Sequence, residues 1–252
     1  MGENNSESSM HSMQKIFNIV EYMAEQKRKL SIQEISVELN MPTATVFRIL
    51  RGLKDMGYVE QHYSKQYYLT YKMFQIGGKL INRDGFLDKM VPYLNYFALK
   101  YGCEMGMAAF NNDSIIHILN VGENIGFGGV IPYPGSVSPA YCTAAGKVFL
   151  SQMSDEELHK WIEDAVLVPY TRKTIIKRGE LFNEIIKTRQ QGYGVVAGEF
   201  IEVVACASFP VRDAGGNIIG AFNFRVKTEE AEEAFTEKFV SEVKETLRNF
   251  GL

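Results

Sequence analysis

Cys206, Ser208, Asn223 and Arg225 are the side chains of this sequence best suited to holding a small ligand, and one hairpin can bring them together. If the turn in Asp213-Ala214-Gly215-Gly216-Asn217 is centred on Gly215-Gly216, residue 214 lies opposite 217. Counting outward sets Ser208 against Asn223 and Cys206 against Arg225 on one face, while Ala207, Phe209, Phe222 and Phe224 share the other. Such a sheet is either wetted on its polar side or lines a cavity there, and unpaired Cys is seldom fully exposed, which favours the cavity. In a partly closed site Arg225 can clasp a carboxylate through two parallel N–H bonds. The alternatives for Arg225 are a pair with Glu199 or Glu202, or water.

Other chemistry fits the residues poorly. Gly146-Lys147 matches the end of a P-loop, but Tyr141 stands where the earlier Gly belongs and Val148 where a magnesium-binding hydroxyl belongs. His11, His62, His117 and His159 have no carboxylate or thiol at metal-ligand spacing, and no Gly-x-Ser-x-Gly elbow exists for a Ser nucleophile. No catalytic activity, cofactor or metal is therefore expected. Thiol-based redox sensing is the competing use of the same region, with Cys206 or Cys142 oxidised and Arg225 lowering a thiol pKa.

A second group of side chains suits DNA. From Thr43 onward, Val46, Ile49, Leu50 and Leu53 recur at helical spacing and bury one stripe, which leaves Thr43, Ala44, Phe47, Arg48 and Arg51 on the other side. Thr43 and Thr45 lie near the N-terminus of that helix, where a recognition helix meets base edges. Arg48 is placed for a bidentate contact to guanine or a phosphate clamp, unless it is simply solvated. Phe47 either touches a thymine methyl or packs under the wing that follows. Lys65 at the wing tip either lies over the DNA backbone or faces water.

Local signals define the elements that must hold this face. Ser31-Ile32-Gln33-Glu34 has the form of a capping box, so a helix begins at Ile32; Ser31 is also counted among the DNA-facing residues. Asn40 can adopt a left-handed C-terminal conformation and Pro42 suits the first turn of the next helix. Gly57 stops that helix. Tyr58–His62 and Gln66–Thr70 read as two strands around Tyr63-Ser64-Lys65, and a first helix from Met13 to Gln26 completes a winged helix-turn-helix.

The formal net charge is -3, but Met13–Gln75 carries nine Lys and Arg against six Asp and Glu, and Ile76–Leu252 carries 18 against 22. The positive end supports a polyanion partner. With so small an excess, two copies on a roughly symmetric operator are expected. No apolar run approaches the roughly 18 residues of a membrane span, and the N-terminus lacks the basic and apolar parts of a signal peptide. Three scattered Cys fit reduced thiols, so a cytoplasmic location is expected.

The expected domains are a frayed tail at 1–12, the winged helix-turn-helix at 13–70, a linker helix at 71–84 with a flexible point at Gly77-Gly78, and a second domain at 85–252. The second domain reads as α+β with a mixed, mostly antiparallel sheet. Helices are expected at 86–101, 144–153, 155–163, 179–191 and 229–250. Strands are expected at 104–110, 114–121, 194–199, 203–211 and 217–226, with Asn111-Asn112-Asp113 as a turn.

The winged helix, Pro139-Ala140-Tyr141-Cys142-Thr143-Ala144-Ala145-Gly146-Lys147, Gly192-Tyr193-Gly194, and Glu199 followed by Val204-Ala205-Cys206-Ala207-Ser208-Phe209-Pro210-Val211 together resemble the IclR family (isocitrate lyase regulator type) of bacterial transcription factors. The resemblance covers nearly the whole chain. It implies a GAF-like effector domain behind the DNA-binding domain, a homodimer or dimer of dimers, small organic acids or aromatic compounds as ligands, and a pocket at Ala144, Ala145, Cys206, Asn223 and Arg225. The chain departs from the family pattern at Val203, where Gly is usual, at Asn223 and Arg225, where Ser-x-Ser is common, and at Thr70, where Gly follows the wing. The extra cation at Arg225 leads to the expectation of an anionic effector, a carboxylate larger than glyoxylate or pyruvate.

Overall fold

The computed structural model describes residues 3–26, 28–111, 113–122, 132–213 and 215–251. It divides into two compact units, Met1–Phe86 and Leu87–Leu252.

The N-terminal unit contains α1 (Glu3–Glu25), α2 (Ile32–Glu38), α3 (Thr43–Asp55), the wing strands β1 (Val59–Gln61) and β2 (Tyr67–Leu69), and α4 (Lys72–Ile81). The capping box starts α2: the Glu34 N–H donates to the Ser31 hydroxyl at 3.3 Å and the Ser31 N–H donates to the Glu34 carboxylate at 2.7 Å. These bonds from Ser31, with Arg28 beside them, hold the Glu34 carboxyl down at about 2. Asn40 takes φ 48° and closes the turn into α3, and Gly57 at φ 78° ends that helix. Ile19, Ile35, Val46, Leu50 and Val59 are among the side chains buried together as the core, each worth roughly 1.5 to 3 kcal/mol on transfer from water.

Two expectations for this unit need correction. The segment 3–12, expected as a frayed tail, is helical, because no Gly or Pro interrupts the sequence from Glu3 to Glu25. Gly77-Gly78, expected as a flexible point, lies inside the continuous α4 with open space where either Cβ would stand. A glycine weakens a helix but does not break it when its neighbours are good helix formers.

The C-terminal unit comprises α5 (Phe86–Tyr101), which begins at the unit boundary, β3 (Glu104–Asn111), β4 (Ser114–Val121), β5 (Val137–Pro139), α6 (Ala144–Leu150), α7 (Asp155–Asp164), α8 (Arg178–Gln191), β6 (Gly194–Ala197), β7 (Val204–Arg212), β8 (Ile218–Lys227), α9 (Ala231–Ala234) and α10 (Glu237–Asn249). The sheet order is β5-β4-β3-β8-β7-β6, and every neighbouring pair is antiparallel. One face carries Phe209, Phe222 and Phe224. Rings from α5 and α10 close over it, with Phe97 5.2 Å and Phe239 5.1 Å from Phe224 between centroids. The opposite face meets α6.

The final helix, expected to run unbroken from 229 to 250, is split at Phe235 and Thr236. Thr236 is extended and its hydroxyl accepts from the Phe239 N–H, so it starts α10 as a cap. The helix expected at 144–153 stops at Leu150. β5 lacked any sequence signal longer than three residues. Asn112 of the expected turn and Ala214 of the hairpin turn lie outside the described residues.

Candidate effector cavity and DNA-binding face

At the site the β7–β8 hairpin has the expected pairing: Cys206 is opposite Arg225 and Ser208 opposite Asn223, with Ala207 and Phe209 opposite Phe224 and Phe222. Asp213 tightens the turn by accepting the Gly215 and Asn217 N–H groups at 2.9 Å. The turn itself departs from the expectation of 214 opposite 217: the Asp213 N–H donates to the Asn217 carbonyl, and an irregularity between Val211↔Gly220 and Arg212↔Ile218, which leaves Ile219 extra, brings the pairing back into the expected register at the site.

The polar face of this hairpin lines a cavity of about 60 Å³ under α6. Ala144, Ala145, Cys206, Asn223 and Arg225 are all in its wall, joined by His117, Ser138, Cys142 and an apolar set that includes Ile115, Val196 and Phe200. Ser208 is not in the wall; its hydroxyl donates to the Asn223 side chain at 2.5 Å and so orients that amide from behind. Thr143 caps α6 by accepting the Gly146 N–H. Close approach of α6 needs two glycines, because a Cβ on Gly146 would stand 2.0 Å from the Ala140 carbonyl oxygen and one on Gly194 2.4 Å from that of Ala144.

Arg225 pairs with neither Glu199 nor Glu202. Its Nε and Nη2 donate to Glu104 Oε1 at 3.1 and 2.6 Å, and Nη2 also reaches the Asn120 amide oxygen. Glu104 faces Arg225 directly across the β3–β8 ladder. Gly106, next on that face, has no side chain to displace the guanidinium: a Cβ there would lie 2.5 Å from Nη2. Glu199 instead pairs with Lys147 at 2.5 Å, with Glu184 at 3.6 Å from the same ammonium. Burial raises the Glu199 pKa while Lys147 pulls it down. The motif lysine is thus a buried strut between α6 and the segment that carries Phe200.

His117 and Asn120 reach the same face although they are three residues apart, which a regular strand forbids. A bulge makes it possible: Met107 lies opposite Leu119, but Ala108 lies opposite His117, so residue 118 is extra. His117 Nε2 is 2.9 Å from Ser138 Oγ, while Nδ1 is buried without a partner among the described residues. Burial, and then the charge of Arg225, pull the imidazole pKa down to about 4. Sequence reasoning set His117 aside because it sought metal spacing, and no spacing rule identifies Glu104 or Asn120.

The thiols do not resemble redox sensors. Burial raises the pKa of Cys206 despite Arg225 and the Ser208 bond, and pushes Cys142 up to about 12, which disfavours the reactive thiolate. A larger cleft of about 820 Å³, lined in part by Phe110, Trp161 and Arg212, holds none of the expected site residues. Among the described residues no cluster of His, Cys, Asp or Glu could hold a metal ion, and no helix is long and apolar enough to cross a membrane.

On α3 the exposed stripe consists of Ala44, Arg48 and Arg51, with Thr43 and Phe47 along one edge. Phe47 is 49% exposed, so it does not pack under the wing. Thr45 lies on the opposite edge of the stripe, half-buried in a groove that it lines together with Arg48 and with Ser12, Lys15 and Ile16 of α1. Ser31 spends its hydroxyl on the α2 cap. Lys65 is exposed at the wing tip in the left-handed conformation at φ 62°.

Two family models match this chain: the IclR helix-turn-helix domain over residues 12–62 and the bacterial transcriptional regulator IclR C-terminal domain over residues 79–250. The chain belongs to the IclR family. This IclR-family DNA-binding transcriptional regulator is 28% identical over 244 residues to the HTH-type transcriptional regulator KdgR of Dickeya chrysanthemi, covering 96% of this chain and 79% of that protein. Its fold is shared with the IclR of Thermotoga maritima, at a TM-score of 0.68 and 23% identity over 96% of each chain. It is shared also with an IclR homolog from Microbacterium hydrocarbonoxydans complexed with 4-hydroxybenzoate, at a TM-score of 0.74 and 13% identity over 95% of this chain and 97% of that one.

Proposed function

We propose that this regulator changes its affinity for an operator when a small organic acid enters the cavity under α6. The observation that carries the reading is the cavity wall itself: a largely apolar lining joined by Arg225, Asn223 and His117. Arg225 Nη1 has no hydrogen bond to Glu104 or Asn120 and is left to meet a carboxylate. The 4-hydroxybenzoate with which the Microbacterium homolog is complexed is a carboxylate. On the DNA side, Thr43, Ala44, Phe47, Arg48 and Arg51 would meet the major groove and Lys65 the backbone. Thr45 and Ser31, held by α1 and by the cap, would add phosphate contacts at most.

Two copies would act together, as a homodimer or dimer of dimers. Support comes from α4, none of whose residues is buried and whose Phe74 and Leu80 are 74% and 71% exposed, and from Met13 and Phe17 on α1. Apolar area of that extent is usually covered by a partner. The signal would travel along α4, the stretch of chain between the domains, with a coupling energy typically of about 1 to 3 kcal/mol.

The test is a gel-shift titration on an operator selected by the protein from random duplexes, with 4-hydroxybenzoate, benzoate and pyruvate as probes. Thr43→Ala with Arg48→Ala should abolish operator binding. Arg225→Gln with Glu104→Gln, which leaves no orphaned charge, should keep operator binding and lose the response to the acid. An unchanged response in the second variant overturns the reading.

A further inference from the structure

Among the described residues of the cavity wall the charges are already balanced. Arg225 is paired with Glu104 at 2.6 Å, both 6% or less exposed at the side chain, and the imidazole of His117 is neutral near pH 7. A carboxylate entering this site therefore brings one negative charge that no group present compensates, and burying an uncompensated charge is costly. His117 is the group able to supply the compensation. It is 6% exposed and its Nδ1 has no partner among the described residues. Ser138 can reorient its hydroxyl to accept from Nε2–H, so a doubly protonated ring would have an acceptor at each nitrogen once a ligand oxygen meets Nδ1.

Resting on the organic-acid reading above, we propose that His117 takes up one proton as the acid binds, so that the cavity accepts a monocarboxylate as a neutral complex and discriminates against dicarboxylates. Among the described residues, the other charged and titratable groups facing His117 are Arg225 from β8 with Glu104 behind it on β3, Cys206 from β7, and Cys142 ahead of α6. The thiols are held protonated by burial. Lys147 and Glu199 are engaged with each other. That leaves two proton acceptors to tell apart: His117, and Glu104 should the ligand displace it from Arg225.

The sign follows from linkage. A site that binds a proton together with its ligand loses affinity as pH rises, by about tenfold per pH unit for one proton. Calorimetric titration of the full chain with benzoate, 4-hydroxybenzoate and pyruvate, in buffers of different ionisation heat, counts the protons. The expected result is about one proton taken up per bound acid near neutral pH, a dissociation constant rising about tenfold per unit between about pH 6 and 8, and malonate and phthalate binding at least about tenfold more weakly.

In His117→Gln, which keeps an amide near Ser138, the proton uptake and the pH slope should vanish. Binding without proton uptake in the wild-type protein overturns the inference and leaves the organic-acid reading standing. Uptake that persists in His117→Gln but disappears in Glu104→Gln assigns the proton to Glu104 and also overturns it. No binding of any acid in the panel removes the organic-acid reading itself, and this inference with it.

Discussion

Lys147→Met should destabilise the C-terminal domain in a way that depends steeply on pH. The Lys147 side chain is completely buried and its ammonium lies 2.5 Å from a Glu199 oxygen, itself in a side chain only 10% exposed. Removing one member of such a pair strands the other charge, a loss of about 3 to 5 kcal/mol. Glu184, at 3.6 Å and 24% exposed, is partly solvated and adds little. Glu199 has an escape: burial already raises its pKa, and without the ammonium nothing pulls it back. The folded variant would then bind a proton that the unfolded chain releases. Its stability would fall as pH rises above the ordinary glutamate range, by about 1.4 kcal/mol per unit until the folded pKa is passed. The loss should be near its full value at about pH 8 and much smaller at about pH 5. Urea unfolding read by the fluorescence of Trp161, the single Trp of the chain and located on α7, isolates the domain concerned. Lys147→Met with Glu199→Gln should recover most of the stability at pH 8. A loss below about 1 kcal/mol, or a double variant no more stable than the single one, would refute the strut.

Two further outcomes follow from the same face of the sheet. Gly106→Ala places a methyl group 2.5 Å from Arg225 Nη2 and 2.6 Å from the Asn120 oxygen; overpacking of this kind costs about 1 to 3 kcal/mol, and thermal unfolding together with the gel shift should reveal a weaker domain that still binds its operator but no longer answers to acids. The buried imidazole of His117, held down at about 4 by burial and the charge of Arg225, binds a proton more readily in the unfolded chain. Stability should therefore fall as pH drops from about 6.5 to 4, by at most about 3 kcal/mol, and His117→Gln should flatten that part of the profile measured by urea unfolding.

The DNA-binding unit was legible because its signals are local. A capping box, a left-handed Asn and a glycine stop each act within four residues, and the structure has Ser31, Asn40 and Gly57 in those roles. The β7–β8 pairing at the site was legible only because two deviations cancel: the turn closes Asp213 on Asn217 instead of 214 on 217, and the irregularity at Val211/Arg212 restores Cys206 opposite Arg225. The partner of Arg225 was not, because Glu104 lies 121 residues away on a strand whose position beside β8 no local pattern encodes. His117 was harder still. Its side of the sheet depends on a bulge, and one extra residue reverses which face every later side chain meets. The Lys147–Glu199 strut has no spacing signature either, as its members are 52 residues apart.

The two buried ion pairs bear on why the cavity is polar at all. Replacing a buried pair with well-packed apolar residues is often neutral or stabilising, so stability alone does not account for Arg225 and Glu104 beside a cavity of about 60 Å³. An unpaired arginine there would be costly to bury and would hold any anion regardless of shape. Paired with Glu104, its guanidinium is fixed in direction by Glu104, Asn120 and the missing side chain of Gly106, and it can offer Nη1 without an excess of positive charge. Discrimination then falls to groups that can answer a ligand's charge, and among the described residues the His117 nitrogen without a partner is so placed. Reversing this logic gives a measurable consequence: Glu104→Gln, which leaves the guanidinium uncompensated, should bind acids more tightly than wild type near neutral pH and lose selectivity against phthalate, and unchanged selectivity would mean that shape and not charge balance governs the choice.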